Sequence, residues 1–291
     1  MFWFMPDVVF SKGGPGALAV VLAARFYRIP VVIHESDSVP GLTNHISSRF
    51  AKTIIISFDS AAKYFPGKQT ILTGNPVRRS LILTKAGETM TRNKGFLGFD
   101  PSLPLITIMG GSQGAAAFNN FILENLPKLL EFTQVMHQTG MANYDDVFGQ
   151  ALDLLNGMKE EVSKKYRIVS YLKEDLAPVY IASNLIVSRA SAGSIFELAA
   201  FGKPSILIPL PPDVAAGDHQ TENAKDYSKS GAAITIPQED IKVKLIKEIL
   251  DLVQDQKRLD EMGKAAHTFS KPEAAKEVAN IILGIAGSVV N

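Results

Sequence analysis

Short β-branched runs alternate along this chain with stretches long enough for amphipathic helices, and that alternation leaves few ways to fold. Candidate strands fall at residues 8–10, 31–34, 53–57, 105–109, 134–137, 168–171, 185–188, 205–209 and 233–236. Candidate helices fall at 16–27, 43–50, 115–130, 144–164, 194–201, 220–229, 241–254, 256–269 and 273–283. Apolar strands alternating with helices are the mark of βαβ units in a parallel sheet covered on both faces. The expected class is α/β. Ligands of such sheets collect beyond the C-terminal ends of the strands.

The length of 291 residues suits two domains. A polar stretch from Thr84 to Asn93 and a fresh strand opening at Leu103-Pro-Leu-Ile put the boundary between Gly74-Asn-Pro-Val-Arg78 and Asp100. Two Rossmann-type units facing each other are expected. Hydrophobic residues at 46% against 20% charged allow a large core and argue against disorder. With 30 basic and 29 acidic side chains, the concentrated basic excess that nucleic acid requires is missing. The absence of cysteine excludes disulfides, thiolate nucleophiles and Cys-ligated zinc. No apolar run approaches the roughly 20 residues that span a bilayer. The chain opens almost directly on a strand-like run, Asp7-Val-Val-Phe10, which has little before it to pair with. A fragment of a longer protein is the expectation from that opening.

Four loops carry the candidate chemistry. Ile106-Thr-Ile-Met-Gly-Gly-Ser-Gln-Gly-Ala115 ends a strand, turns on small residues and opens a helix. Free N–H groups and the positive dipole end of such a helix suit a diphosphate, with Gly110, Gly111, Gln113 and Gly114 in the turn and Ser112 adding a hydroxyl. A purely structural turn is an equally good reading of this loop alone. Phe10-Ser-Lys-Gly-Gly-Pro-Gly16 repeats the logic in the first half, with Gly13 and Gly14 as the phosphate-loop candidates. Lys12 reads as a solvated side chain rather than a charge partner.

The third loop is Ser188-Arg-Ala-Ser-Ala-Gly-Ser-Ile-Phe-Glu197. Its small residues admit a ligand close to the backbone. Glu197 reads either as ordinary first-turn helix chemistry or as a carboxylate accepting from two adjacent sugar hydroxyls. The fourth runs from Pro209 to Ala224 and carries His219, Gln220 and Asn223 on a helix. Gln220 offers the paired donors and acceptor that sugar hydroxyls need; Asn223 reads equally as packing or as a contact. The five histidines lack zinc-hydrolase spacing, and there is no Asp-x-Asp pair. The residues thus describe a two-domain α/β protein with a diphosphate-bearing, hydroxyl-rich ligand in its cleft.

The set of motifs resembles the MurG family along the whole chain. It comprises Gly13-Gly14, Ile33-His-Glu-Ser-Asp37 with Pro40-Gly-Leu-Thr-Asn44, Gly74-Asn-Pro-Val-Arg78, Gly110-Gly-Ser-Gln-Gly-Ala115, His137-Gln-Thr-Gly140, the Ser188–Glu197 run and Asp218-His-Gln-Thr-Glu-Asn-Ala224. The resemblance implies a GT-B fold, two Rossmann-like domains across a cleft, with the first domain incomplete. Residues 1–77 and 272–291 would be the remnant of the acceptor- and membrane-side domain, and 78–271 the UDP-sugar domain. The implied reaction is inverting transfer of N-acetylglucosamine from UDP-N-acetylglucosamine to the muramoyl 4-hydroxyl of undecaprenyl-diphospho-muramoylpentapeptide. That places the protein in peptidoglycan synthesis, and so in cell shape and division, at the cytoplasmic face of the membrane, with no cofactor or protein-held metal.

Carried over by position, Ser112 and its loop would meet the diphosphate, and Arg78 would lie on the uridine side. Leu172 or Lys173 would present backbone to the uracil edge. Ala192, Gly193 and Ser194 would touch diphosphate or sugar, Glu197 the ribose, Gln220 the acetylglucosamine hydroxyls and Asp37 the sugar. Arg25-Phe-Tyr-Arg28 would be a remnant of a membrane-facing patch or simply an amphipathic helix end. The family's Gly-Gly-Thr-Gly-Gly-His loop, with its favoured general base, has no counterpart here, so the expectation is a chain that binds donor and turns over poorly, with Asp37 and His34 the substitute bases to test. A UDP-sugar epimerase, a glycolipid synthase or a non-catalytic donor-binding module are the competing readings.

Overall fold

The computed structural model describes residues 5–85, 87–110, 116–211 and 218–287. Two wholly parallel sheets organise them. The first has strands β1 (Val9–Ser11), β2 (Val31–Glu35), β3 (Thr53–Ile56) and β4 (Thr70–Leu72), in that order across the sheet. The second has β5 (Leu105–Met109), β6 (Gln134–Gln138), β7 (Tyr166–Val169), β8 (Leu185–Ser188), β9 (Ser205–Leu207) and β10 (Ala233–Thr235), in the order β10-β9-β8-β5-β6-β7. Strands buried on both faces read as continuous apolar runs, which is why β2, β3 and β8 were visible in the sequence.

The side-chain period of two sorts the first sheet between two layers. Val31, Ile33, Ile54 and Ile56 pack with Val21 and Ala24 of the helix Ala17–Phe26. Val32 and Ile55 point to the other face and meet Val278 of the helix Ala274–Gly287. The C-terminal helix therefore returns to the first unit, with Ile281, Ile282 and Ile285 half-buried against it. Each fully buried aliphatic side chain contributes about 1.5–3 kcal/mol.

The second sheet is likewise sandwiched. One layer contains the helices Ala116–Phe132 and Ile241–Gln254, with Ile122, Leu126, Leu245 and Ile249 against Ile106, Val187 and Ile206. The other contains Leu176–Ala182 and Ala192–Ala200, with Tyr180, Ile195 and Phe196 against Leu105, Ile186 and Leu207. Both GT-B sheets expected from the motifs are present.

Several elements differ from the sequence reading. The strand expected at 168–171 begins at Tyr166, because Tyr166 pairs with Val135 and its hydroxyl bonds His137 Nδ1 at 2.9 Å. The single helix expected at 144–164 ends at Asn156, with Gly157 as its C-cap, and restarts as Glu160–Ser163 after the extended Lys159. Strand β4 was missed because three residues at a sheet edge give no periodicity. The polar boundary stretch holds two helices, Arg79–Lys85 and Met90–Phe96, the latter capped by Thr89 accepting from the Arg92 N–H at 3.3 Å. Both pack on Leu176–Ala182, a third unforeseen helix, so they belong to the second unit. The chain crosses between units near Gly74, whose φ is +81°; a Cβ there would lie 2.6 Å from Lys271 Cβ and Cγ and 3.0 Å from Phe196 Cε1. Only glycine lets the outgoing and returning crossings touch.

Candidate functional site

The second sheet changes winding direction between β5 and β8. From β5 the chain runs outward through β6 and β7, and from β8 through β9 and β10. Loops diverge at such a switch and open a crevice beyond the strand ends. A cavity of about 570 Å³ lies there, lined by Met109 and Gly110 after β5, Ser188 and Arg189 at β8, and Gly193, Ser194, Glu197, Gln220, Arg78 and Leu172 around them.

The helix Ala192–Ala200 starts at this cavity. Ser191 is its N-cap: its Oγ accepts from the Ser194 N–H at 3.2 Å and lies 2.8 Å from Ser194 Oγ. The N–H groups of Ala192 and Gly193 have no partner within the helix, and with the dipole they favour an anion at this end. A side chain at Gly193 would meet nothing within 4 Å, so glycine here leaves cavity space open rather than relieving a clash.

Glu197 is the sixth residue of that helix, which has no acidic residue in its first turn. Glu197 therefore lies outside the first turn, because the helix starts two residues earlier than the sequence suggests. Its carboxylate is held from two sides. Arg78 donates through Nε and Nη2 to Oε1 at 3.3 and 3.2 Å, and the Tyr180 hydroxyl donates to Oε2 at 3.1 Å. Burial, followed by the adjacent carboxylate, raises the Tyr180 pKa well above that of an ordinary tyrosine, so the hydroxyl stays a donor. Because Arg78 is 47% exposed, its ion pair adds at most about 1 kcal/mol to stability. Its effect is to orient the carboxylate, whose remaining lone pairs can accept from a vicinal diol.

Gln220 faces the same space. Its Oε1 accepts from the Ala190 and Leu210 N–H groups at 3.3 and 3.1 Å, which ties the loop after β8 to the loop after β9. The Nε2 amide is left as the donor. Arg189 supplies buried positive charge: its Nη1 bonds Ile208 O at 3.2 Å and Gln238 Oε1 at 2.6 Å, and its guanidinium lies 5.5 Å from the Phe118 ring centroid. Its Nε has no partner among the described residues, and burial lowers its pKa. Leu172 lines the cavity, but its N–H is taken by Gln138 Oε1 at 3.2 Å; Lys173 is not in the lining. Only the Leu172 carbonyl and the Lys173 backbone remain to read a base edge.

Other expected residues lie elsewhere. Gly111, Ser112, Gln113, Gly114 and Ala115 are outside the described residues. Ala192 is buried behind the lining. Gly13 and Gly14, both at positive φ, and Asp37 do not line the cavity. Lys12, read as solvated, in fact donates to Asn75 Oδ1 at 3.0 Å, and burial of the ammonium lowers its pKa. His34 sits wholly buried in β2, with Nε2 near Ser57 Oγ (3.1 Å) and Gly74 O (3.3 Å). Burial pulls its pKa down to about 4. It is unsuited to take a proton from a substrate. His137 is equally buried, between Tyr166 and Asn119, with its pKa lowered to about 3. Tyr180 and Arg189 were not singled out from sequence; an arginine among small residues just past a buried strand was the available signal for the second.

Residues 105–278 match the glycosyltransferase family 28 C-terminal domain, and residues 3–56 its N-terminal domain. The chain is 39% identical over 264 residues to a Bacillus cereus protein named UDP-N-acetylglucosamine–N-acetylmuramyl-(pentapeptide) pyrophosphoryl-undecaprenol N-acetylglucosamine transferase 2, covering 90% of this chain and 68% of the relative. It is 36% identical to a Bacillus thuringiensis protein of the same activity name, numbered 3, covering 96% of this chain and 72% of the relative. Among solved structures, Acinetobacter baumannii MurG superposes with a TM-score of 0.74 at 28% identity, over 96% of this chain and 73% of that one. Neisseria meningitidis UDP-GlcNAc 2-epimerase, solved with UDP-GlcNAc, superposes at 0.68 with 17% identity over 97% and 77% of the two chains, a likeness of fold alone. The ordered motifs, the two parallel sheets and these matches agree: the chain belongs to the MurG family of glycosyltransferase family 28.

Proposed function

We infer that the chain is a UDP-N-acetylglucosamine-dependent transferase that moves N-acetylglucosamine to the muramoyl 4-hydroxyl of undecaprenyl-diphospho-muramoylpentapeptide. The observation that carries this is the cavity at the switch point, where a doubly held carboxylate, a free helix N-terminus and an amide donor converge. Glu197 would accept from the ribose hydroxyls, and Arg78 would flank the uridine. The Ala192 and Gly193 N–H groups, Ser194 and Arg189 would meet the diphosphate, and Gln220 would donate to the sugar. The acceptor oxygen forms the new bond to the anomeric carbon from the face opposite UDP, the carbon–oxygen bond to UDP breaks, and the hydroxyl proton leaves to a base. Charge developing on the diphosphate is stabilised by dipoles already in place.

Peripheral attachment to the cytoplasmic face of the membrane accompanies this function, as does a role in wall synthesis and hence in cell shape and division. Supporting the membrane part, Val20, Leu22, Phe26 and Leu42 are exposed on the first unit, Phe26 at 80%, beside Arg25 and Arg28. No described helix is long and apolar enough to cross a membrane. The test is transfer of labelled N-acetylglucosamine from UDP-N-acetylglucosamine to a short-chain lipid-linked muramoylpentapeptide. Labelled disaccharide product is expected, formed slowly because the loop with the family's favoured base has no counterpart in this sequence; epimerised donor with no product would instead favour the epimerase reading.

A further inference from the structure

Asp37 lies in the loop between β2 and the helix Leu42–Ser47, and that loop is tied together by one side chain. The buried Glu35 carboxylate accepts from the Asp37 N–H at 3.0 Å, the Gly41 N–H at 3.3 Å and Asn44 Nδ2 at 2.9 Å. A carboxylate so engaged fixes the loop as one piece. The loop then reaches the other unit at three points. The Ser38 N–H donates to Asn223 Oδ1 at 2.8 Å, Asn223 Nδ2 donates to Asp37 Oδ1 at 2.7 Å, and His219 Nδ1 donates to Val39 O at 2.9 Å.

Asn223 is fully buried, and its second Nδ2 hydrogen goes to Ala190 O at 3.3 Å. The Ala190 N–H, in turn, goes to Gln220 Oε1. Ala190 also directly precedes Ser191, the cap of the helix that opens on the cavity. Glu35, Asp37, Asn223, Ala190 and Gln220 thus form one continuous chain of hydrogen bonds. It runs from a strand of the first unit to a cavity-lining side chain of the second. Asp37 itself does not line the cavity.

We propose that Asp37 is a positioning residue, the first-unit half of a clasp with Asn223 that holds Ala190 and Gln220 in their ligand-binding arrangement, rather than a ligand of the sugar. The proposal rests on the reading of the cavity as the UDP-sugar site. Two consequences separate it from a sugar contact. Loss of the clasp weakens UDP as well as UDP-N-acetylglucosamine, because Ala190 leads into the Ser191 cap of the helix that meets the diphosphate of both ligands. An amide at position 37 still accepts from Asn223 through its carbonyl oxygen, so Asp37→Asn keeps the clasp and Asp37→Ala loses it.

The experiment is calorimetry of UDP and of UDP-N-acetylglucosamine with the full chain, its Asp37→Ala variant and its Asp37→Asn variant. Alongside it runs a spin-label distance between Ala19→Cys on the first unit and Lys173→Cys on the second. The chain has no native cysteine, so both labels are unique. The expected result is an about 5-fold or larger loss for both ligands in Asp37→Ala, the lower range of coupling between sites. A broadened inter-unit distance should accompany it, and Asp37→Asn should restore both. A loss confined to UDP-N-acetylglucosamine would make Asp37 a sugar ligand and overturn the proposal; unchanged affinities or an unchanged distance distribution would overturn it as well. If the unaltered chain takes up neither ligand while the label distance still responds to Asp37→Ala, the donor-site reading fails and the clasp stands.

Discussion

The two walls of the cleft are built from similar strand–loop–helix units, yet they present their polar groups to different targets. On the second unit, Glu197, Gln220, Arg189 and the Gly193 end of a helix all line one cavity. On the first unit, the corresponding polar residues bond to protein. Glu35 bonds its own loop, Asp37 bonds Asn223, Lys12 bonds Asn75, and His34 is sealed in a strand. One wall gathers its polar groups around a cavity, while the other directs them to contacts within the protein, one of which reaches across to the first wall. A family motif can therefore mark architecture as firmly as it marks contact.

The sharpest way to break this contrast is at Gly193. Since a side chain there enters open cavity space, Gly193→Leu should leave the thermal midpoint unchanged or slightly raised, glycine being about 1 kcal/mol worse than a good helix former. The same change should lower UDP affinity at least about 100-fold by occupying the diphosphate end, a loss of about 2.7 kcal/mol. Calorimetry together with a melting curve checks both halves. Unaltered UDP uptake in a folded variant would remove the helix N-terminus from the ligand wall.

A smaller effect distinguishes the buried histidines from catalytic ones. His34 and His137 have folded pKa values lowered to about 4 and about 3, against 6.5 for the free side chain. Between those values the unfolded chain binds protons that the folded chain does not. Stability is therefore full above about pH 6.5 and declines as pH falls through 5 toward 4. Denaturant midpoints should drop across that window, and His34→Gln should show a shallower drop than the unaltered chain. An equal slope in the variant would mean that His34 protonates freely in the fold.

Much of the fold was legible because buried parallel strands are continuous apolar runs; β2, β3, β5 and β8 needed no tertiary information. What stayed hidden depended on partners distant in sequence. Nothing near Tyr180 announces that it will meet Glu197, and the helix Leu176–Ala182 is apolar on most of its surface because two unforeseen helices cover it. The loops around the cavity were legible from their small residues. The direction of Asp37 was not, because it is set by Asn223, 186 residues away.

The central claim is that Glu197, oriented by Arg78 and Tyr180, receives the ribose hydroxyls of a UDP-sugar. The most direct measurement is calorimetry of UDP and of 2′,3′-dideoxy-UDP with the unaltered chain and with Glu197→Ala. The variant should bind UDP more weakly by about 1.5–3 kcal/mol, the range for a hydrogen bond to a charged group, and bind the dideoxy analogue nearly as the unaltered chain does. Equal losses for both ligands would contradict the claim, leaving Glu197 as a residue that only holds Arg78 and Tyr180 in place.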